Sequence, residues 1–169
     1  DNENMAAIAH RLSLAEFQAK YGLSDVAYEY WHGEAIPKGM PSSVHGFLQA
    51  ILMRLLEEAG YKAGGDVELR IEPDAHPRPD IIATKGKAET PYPTKAVEIV
   101  VEILSSDDPM FHLLQKCSAY HEWGFEFIYV VDPEGRQIYR WTGKALETVT
   151  ELVSIPAVRI WDELDQAIQ

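Results

Sequence analysis

Glu98 and Glu102 interrupt a β-branched run, AVEIVVEILSSD, at residues 96–107. Val97, Ile99, Val101 and Ile103 share one parity and form a wholly apolar strand face, while Glu98, Val100, Glu102 and Leu104 form the other. A run of this length and composition reads as a central strand covered on both sides. A carboxylate in such a strand is expensive unless a cation meets it. Asp80 opens a second strand, 80–83, and the intervening loop allows antiparallel pairing, which brings Asp80 and Glu102 to the same end of a sheet. Two converging carboxylates repel unless a divalent cation lies between them. Oxygen-only ligands with open positions favour Mg²⁺ or Mn²⁺ over zinc.

A second source of positive charge is Lys116. On a helix over 109–123, Leu113, Leu114, Cys117 and Tyr120 define the inward stripe, and Lys116 lies at its edge. Helical phase fits equally a lysine reaching back toward Glu102 and a surface lysine whose stem covers apolar neighbours. Glu29, between Tyr28 and Tyr30, reads by itself as part of a solvated strand face. His45 lies off the Phe47/Leu48 stripe of its helix, which suits a surface or supporting contact better than metal ligation. No histidine pair has metal-binding spacing, His121-Glu122 lacks the second histidine of HExxH, Ser105-Ser106 lacks a nucleophile elbow, and no Gly-rich phosphate loop is present.

The elements that must position these groups follow from caps, stops and periodicity. Ser13-Leu14-Ala15-Glu16 is a capping box opening a short helix that stops before Gly22. Residues 27–33 read as a strand entering a turn, with 34–36 returning. A helix over 42–59 follows, with Val44, Phe47, Leu48, Ile51, Leu52, Leu55 and Leu56 as its apolar stripe and Gly60 as its stop. Residues 67–71 alternate like a short strand, and Pro73, Pro77 and Pro79 mark the loop before Asp80. Asp108-Pro109 looks like an acidic cap with proline at the first helical position, and Gly124 ends that helix. Strands 125–131 and 137–142 flank an Asp132-Pro133-Glu134-Gly135 turn. A final strand and a short helix around 161–164 complete a mixed α/β chain: a central mixed sheet flanked by helices.

With 169 residues, 46% hydrophobic and 25% charged, the chain suits one domain over 13–169, with 1–12 as a flexible lead-in and Met5 a candidate start. The net charge of −12 argues against a general polyanion binder. Residues 76–95 run the other way, with Arg78, Lys85, Lys87 and Lys95 against Asp80 and Glu89, and are where phosphate contacts are expected. The single cysteine, Cys117, fits a small helix-face residue in a reducing compartment. No apolar run approaches the ~18 residues of a membrane span, and the N-terminus lacks a signal pattern, so a cytoplasmic location is expected. Trp31, Trp123 and Trp141 fit core burial and homodimer packing equally well.

Together the stretches YEYWHGEAI, SSVHGFLQAILMRLL, RPDIIAT, VVEILSSDD and KCSAYHEWGFEFIYVVDP, in this order over most of 13–142, resemble the Uma2 family of restriction-endonuclease-like proteins in the PD-(D/E)xK nuclease superfamily. The resemblance implies a restriction-endonuclease-like fold and metal-dependent phosphodiester hydrolysis in nucleic acid, DNA above all. It implies that Asp80, Glu102 and the Ile103 carbonyl hold Mg²⁺ (or Mn²⁺), with Glu29 at the family's upstream acidic position. The sequence departs from the E-x-K pattern, because Leu104 stands where lysine is expected; the resemblance implies that Lys116 takes that role. Arg78, Lys85, Lys87 and His45 are the expected substrate contacts. Two other readings remain: a non-catalytic scaffold with this fold, and a metal-dependent hydrolase of a small phosphoester.

Overall fold

Caps and turns set the frame. A computed structural model describes residues 10–169, so residues 1–9 of the expected lead-in lie outside the described residues. Ser13 Oγ accepts from the Glu16 N–H and opens α1 (Leu14–Tyr21), while the Glu16 carboxylate turns to His10. His32 and Gly33 both have positive φ, 49° and 84°, the two-residue turn whose twist suits a hairpin. It joins β1 (Tyr28–Trp31) to β2 (Glu34–Pro37), with Glu29 opposite Ile36. Ser42 Oγ caps α2 (Ser43–Glu58) through the His45 N–H.

The main sheet has six strands. β3 (Lys62–Gly65) precedes the short β4 (Ala75–His76), and β5 (Ile81–Thr84) pairs antiparallel with β3 on one side and β6 (Ile99–Ile103) on the other. α3 (Met110–Trp123) then carries the chain across to β7 (Phe127–Asp132), which lies parallel to β6 as a helical crossover permits. β8 (Gln137–Trp141) and β9 (Leu146–Val149) finish the order β3-β5-β6-β7-β8-β9. The small hairpin of β10 (Glu151–Leu152) and β11 (Ile155–Pro156) leads into α4 (Ala157–Ala167). β4 adds to β1, making a separate three-stranded sheet, β2-β1-β4. This is the mixed α/β architecture expected from the sequence.

Both faces of the sheet are covered. Ile99, Val101 and Ile103 pack with Leu48, Leu52, Leu55 and Leu56 of α2 and Ile160 and Leu164 of α4. Val100, Ile82, Ile128 and Val130 pack on the other face with Leu113, Cys117 and Tyr120 of α3. Because β6 begins only at Ile99, Val97 joins the α3 side instead of the expected face.

Several local expectations are corrected. Residues 67–71 are not a strand: Val67, Leu69 and Ile71 pack into the α3-side core, but their backbone bonds to loops, Leu69 N–H to Pro77 O and Arg70 N–H to Pro93 O, each 2.9 Å. The glycine-rich β3 is the strand, against glycine's low strand propensity, because α2 lies close over it. A Cβ on Gly65 would come within 3.0 Å of Gln49 Nε2 and 3.3 Å of Met53 Sδ. Pro109, not Asp108, is the N-cap of α3; Asp108 accepts from the Ser105 N–H and closes the preceding turn. Phe47 and Leu114 lie at the edges of their helical stripes and are exposed, at 49% and 36%.

Candidate active site

Asp80 immediately precedes β5 and Glu102 is the penultimate residue of β6. Ile81 pairs with Val101 in antiparallel register, and one step further sets Asp80 against Glu102, at the same end of the sheet as expected. Both line a cleft of about 750 Å³, with Glu29, Lys38, His45, Ile103, His112 and Lys116.

Each acidic group has its own neighbourhood. Asp80 Oδ2 accepts from the Ile103 N–H at 2.6 Å, and Oδ1 accepts from Lys38 Nζ at 3.3 Å and lies 3.1 Å from His45 Nε2. Burial pushes the Asp80 carboxyl up, but His45, Lys38 and the Ile103 N–H outweigh it and hold it below the usual range. The His45 imidazole is raised by its bond to Asp80, against the opposing effect of burial. Glu102 accepts from the Tyr120 hydroxyl at 2.6 Å and lies 2.7 Å from Lys116 Nζ, both contacts on Oε1. Here burial wins: with Asp80 and Glu29 adding to it, and Lys116 and more weakly Lys38 opposing, the Glu102 carboxyl is pushed up to about 7.

Lys116 also donates to Glu29 Oε1 at 2.8 Å. The same oxygen accepts from the Arg78 N–H at 2.7 Å, and Oε2 lies 3.4 Å from His112 Nε2. Burial raises Glu29, yet Lys116, His112 and Lys38 hold it well below the carboxylate range. Burial alone would lower Lys116; its two carboxylates hold it above its ordinary value. Glu29 and Lys116 are 2% and 6% exposed, so neither the solvated strand face nor the surface lysine describes them. They form a buried Glu29–Lys116–Glu102 triad bridging the small sheet, α3 and β6. Its one lysine meets both carboxylates but offsets the burial of Glu29 more fully than that of Glu102.

The structure therefore brings together Asp80, Glu102, Lys116, Glu29 and His45. Arg78 contributes its backbone, the N–H to Glu29 and the carbonyl to Lys38. Lys85 and Lys87 are not at the cleft. They follow β5 at the end opposite Asp80, both exposed, with Lys85 Nζ over the Tyr61 ring at 5.1 Å. The positively charged loop is thus carried away by a four-residue strand. Trp31 is buried within the chain, against His112 and Trp123, and Cys117 is buried with its thiol pushed up to about 12 by burial and Glu102. Lys38, His112 and the Tyr120 hydroxyl were not anticipated as site groups. Lys38 had a signal: the two-residue His32-Gly33 turn fixes the register, so Lys38 lies diagonal to Glu29 on one face of the hairpin.

Asp80 and Glu102 offer hard oxygen donors, and Ile103 lines the same cleft. Among the described residues no three His, Cys, Asp or Glu side chains form a metal-holding cluster. Two carboxylates with a carbonyl and waters nonetheless fit Mg²⁺, which keeps several waters and seldom takes an all-protein cage.

A mixed sheet with α3 crossing between its parallel strands and paired carboxylates at one end is a restriction-endonuclease-like fold. The model of the Uma2 family, described as "Putative restriction endonuclease", matches residues 14–163, and the chain belongs to this family. Among solved structures, the crystal structure of "a putative nuclease belonging to DUF820" from Anabaena variabilis is similar, with a TM-score of 0.73 at 19% identity over 90% of this chain and 99% of that one. At that identity the likeness concerns the fold. No curated protein matches the chain. No helix among the described residues is long and apolar enough to cross a membrane.

Proposed function

We propose that this protein is a Mg²⁺- or Mn²⁺-dependent endonuclease that hydrolyses phosphodiester bonds in nucleic acid, chiefly DNA, in the cytoplasm. The observation that carries the reading is the opposition of Asp80 and Glu102 at a cleft, with Lys116 2.7 Å from Glu102. The description of the Uma2 family supports it, and so does that of the Anabaena protein of similar fold. Asp80, Glu102 and the Ile103 carbonyl would hold the ion. When bound, the ion would supply Lewis acidity and lower the pKa of a water.

The chain's own groups do the rest. Lys116 orients the attacking water and stabilises charge that builds on the phosphorane, in a site where burial strengthens that interaction. Glu29 positions the Lys116 ammonium, and Tyr120 fixes the Glu102 carboxylate. To hold the ion, Glu102 would have to be in its ionised form, because ligands bind deprotonated. His45 and Lys38 hold Asp80.

The net charge of −12 favours a second reading, hydrolysis of a small phosphoester. Mn²⁺-dependent turnover measured on plasmid, single-stranded oligonucleotide and bis(p-nitrophenyl) phosphate separates the two. The nuclease reading expects cleavage of the polymers, lost in Asp80→Ala; turnover of the small diester alone would replace it. No turnover of any of them would favour a non-catalytic scaffold.

A further inference from the structure

Lys38 leaves β2 at the cleft wall, and its ammonium meets three oxygens: the Arg78 carbonyl at 2.5 Å, Asp66 Oδ1 at 3.2 Å and Asp80 Oδ1 at 3.3 Å. An ammonium has three N–H donors, so the socket is complete. Two carboxylates and a carbonyl are also the ligand types a hard divalent cation takes. Gln49 braces the socket, donating to Asp66 Oδ2 at 3.1 Å and to the Asp80 carbonyl at 2.8 Å. The lysine side chain is only 19% exposed, so its charge is screened less than a surface lysine's.

The contact with Asp80 is the longest of the three, and it falls on the oxygen that His45 also approaches. The other oxygen is committed to the Ile103 N–H at 2.6 Å. A cation drawn to Asp80 therefore meets a carboxylate already shared with a fixed positive charge. Lys38 can give up that one contact and keep the Arg78 carbonyl and Asp66. It would then stay at the cleft wall as a positive charge open to an anionic ligand.

We propose that Lys38 competes with a divalent ion for Asp80 Oδ1 and so sets the ion affinity of the cleft below what its carboxylates alone would give. This rests on the metal-dependent reading above. Lys38 acts as a positioning residue, through Asp80, and a merely structural role would leave ion affinity unchanged or weaken it.

Isothermal titration of MnCl₂ into wild type, Lys38→Met, Lys38→Arg and Asp80→Ala tests it without any activity measurement. Lys38→Met should bind Mn²⁺ ~10-fold more tightly, equivalent to about 1.4 kcal/mol. Lys38→Arg, which keeps the charge, should stay near wild type, and Asp80→Ala should lose binding. Equal or weaker binding by Lys38→Met, with Asp80→Ala still null, overturns this inference and leaves the metal reading intact. Binding that survives Asp80→Ala, or no binding by wild type, overturns both. If Lys38→Met does not fold, judged by its thermal transition, Lys38→Gln replaces it under the same criteria.

Discussion

The two faces of the central sheet are both buried, and they are built on opposite principles. On the α2/α4 side the core cluster is aliphatic apart from Tyr129, and α2 makes polar contacts at the cleft end, where His45 and Gln49 reach Asp80. Ion pairs lie outside, where Arg54 and Arg159 pair with Glu58 and Glu163 along the helix rims. On the α3 side an apolar cluster ends abruptly at Glu102, Lys116 and Glu29. The first arrangement stabilises mainly through burial. The second desolvates three ionisable groups, and close pairing recovers the cost for Glu29 and Lys116 but only in part for Glu102. One face holds the fold and lets the other carry buried ionisable groups at the cleft.

The sharpest contrast is in the cost of losing a side chain. Leu52, a fully buried residue of α2, should cost about 2–5 kcal/mol as Leu52→Ala, seen as a lower denaturant midpoint. A loss below about 1 kcal/mol would mean that the α2 side does not bear the fold.

Within the triad the two glutamates should behave oppositely. Glu102 holds its proton up to about 7 in the folded protein, against an ordinary value near 4.5. The folded state thus binds more protons than the unfolded state between those values, and stability falls as pH rises through that window. Glu102→Gln leaves one neutral Glu29–Lys116 pair and should raise stability at pH 8 by about 1–3 kcal/mol. Glu29 is held well below its ordinary value, so its contribution is full above about pH 4.5 and fades as pH falls. Glu29→Gln should therefore destabilise at pH 8 by a similar amount and lose that effect in acid. Urea unfolding of wild type and both variants at about pH 3, pH 5 and pH 8 checks the signs and the fading of the Glu29→Gln effect below about pH 4.5; the same sign for both at pH 8 would refute the uneven sharing of Lys116.

The smallest effect belongs to the outer rim. Arg159→Ala breaks exposed pairs of the kind that contribute little, and its thermal midpoint should match wild type at moderate salt.

Much of this contrast was legible in the sequence, and its limits have physical causes. The parity of Ile99, Val101 and Ile103 identified the dry face, and the strand positions of Asp80 and Glu102 placed them at one end of the sheet. Lys116 was ambiguous because helical phase gives a direction and not a partner; the partner, Glu29, comes from a hairpin 87 residues away in sequence. Glu29 looked solvated because its covering layer is α3, which no local pattern reveals. Lys85 and Lys87 looked close to Asp80 because sequence distance ignores the strand that separates them. Gly64 and Gly65 hid β3, since it is the approach of α2 at Gly65 and of the Val67 side chain at Gly64 that explains glycine there.

On the proposed reading, the charged face is a phosphodiesterase centre whose essential ammonium is Lys116. Mn²⁺-dependent nicking of supercoiled plasmid by wild type and Lys116→Met tests it, with matched circular dichroism showing both folded. Wild type should nick the plasmid, and the variant should be slower by ~10²-fold or more, the scale of a lost charge-stabilising donor, while still binding Mn²⁺ through Asp80 and Glu102. Equal nicking by the two proteins would contradict it.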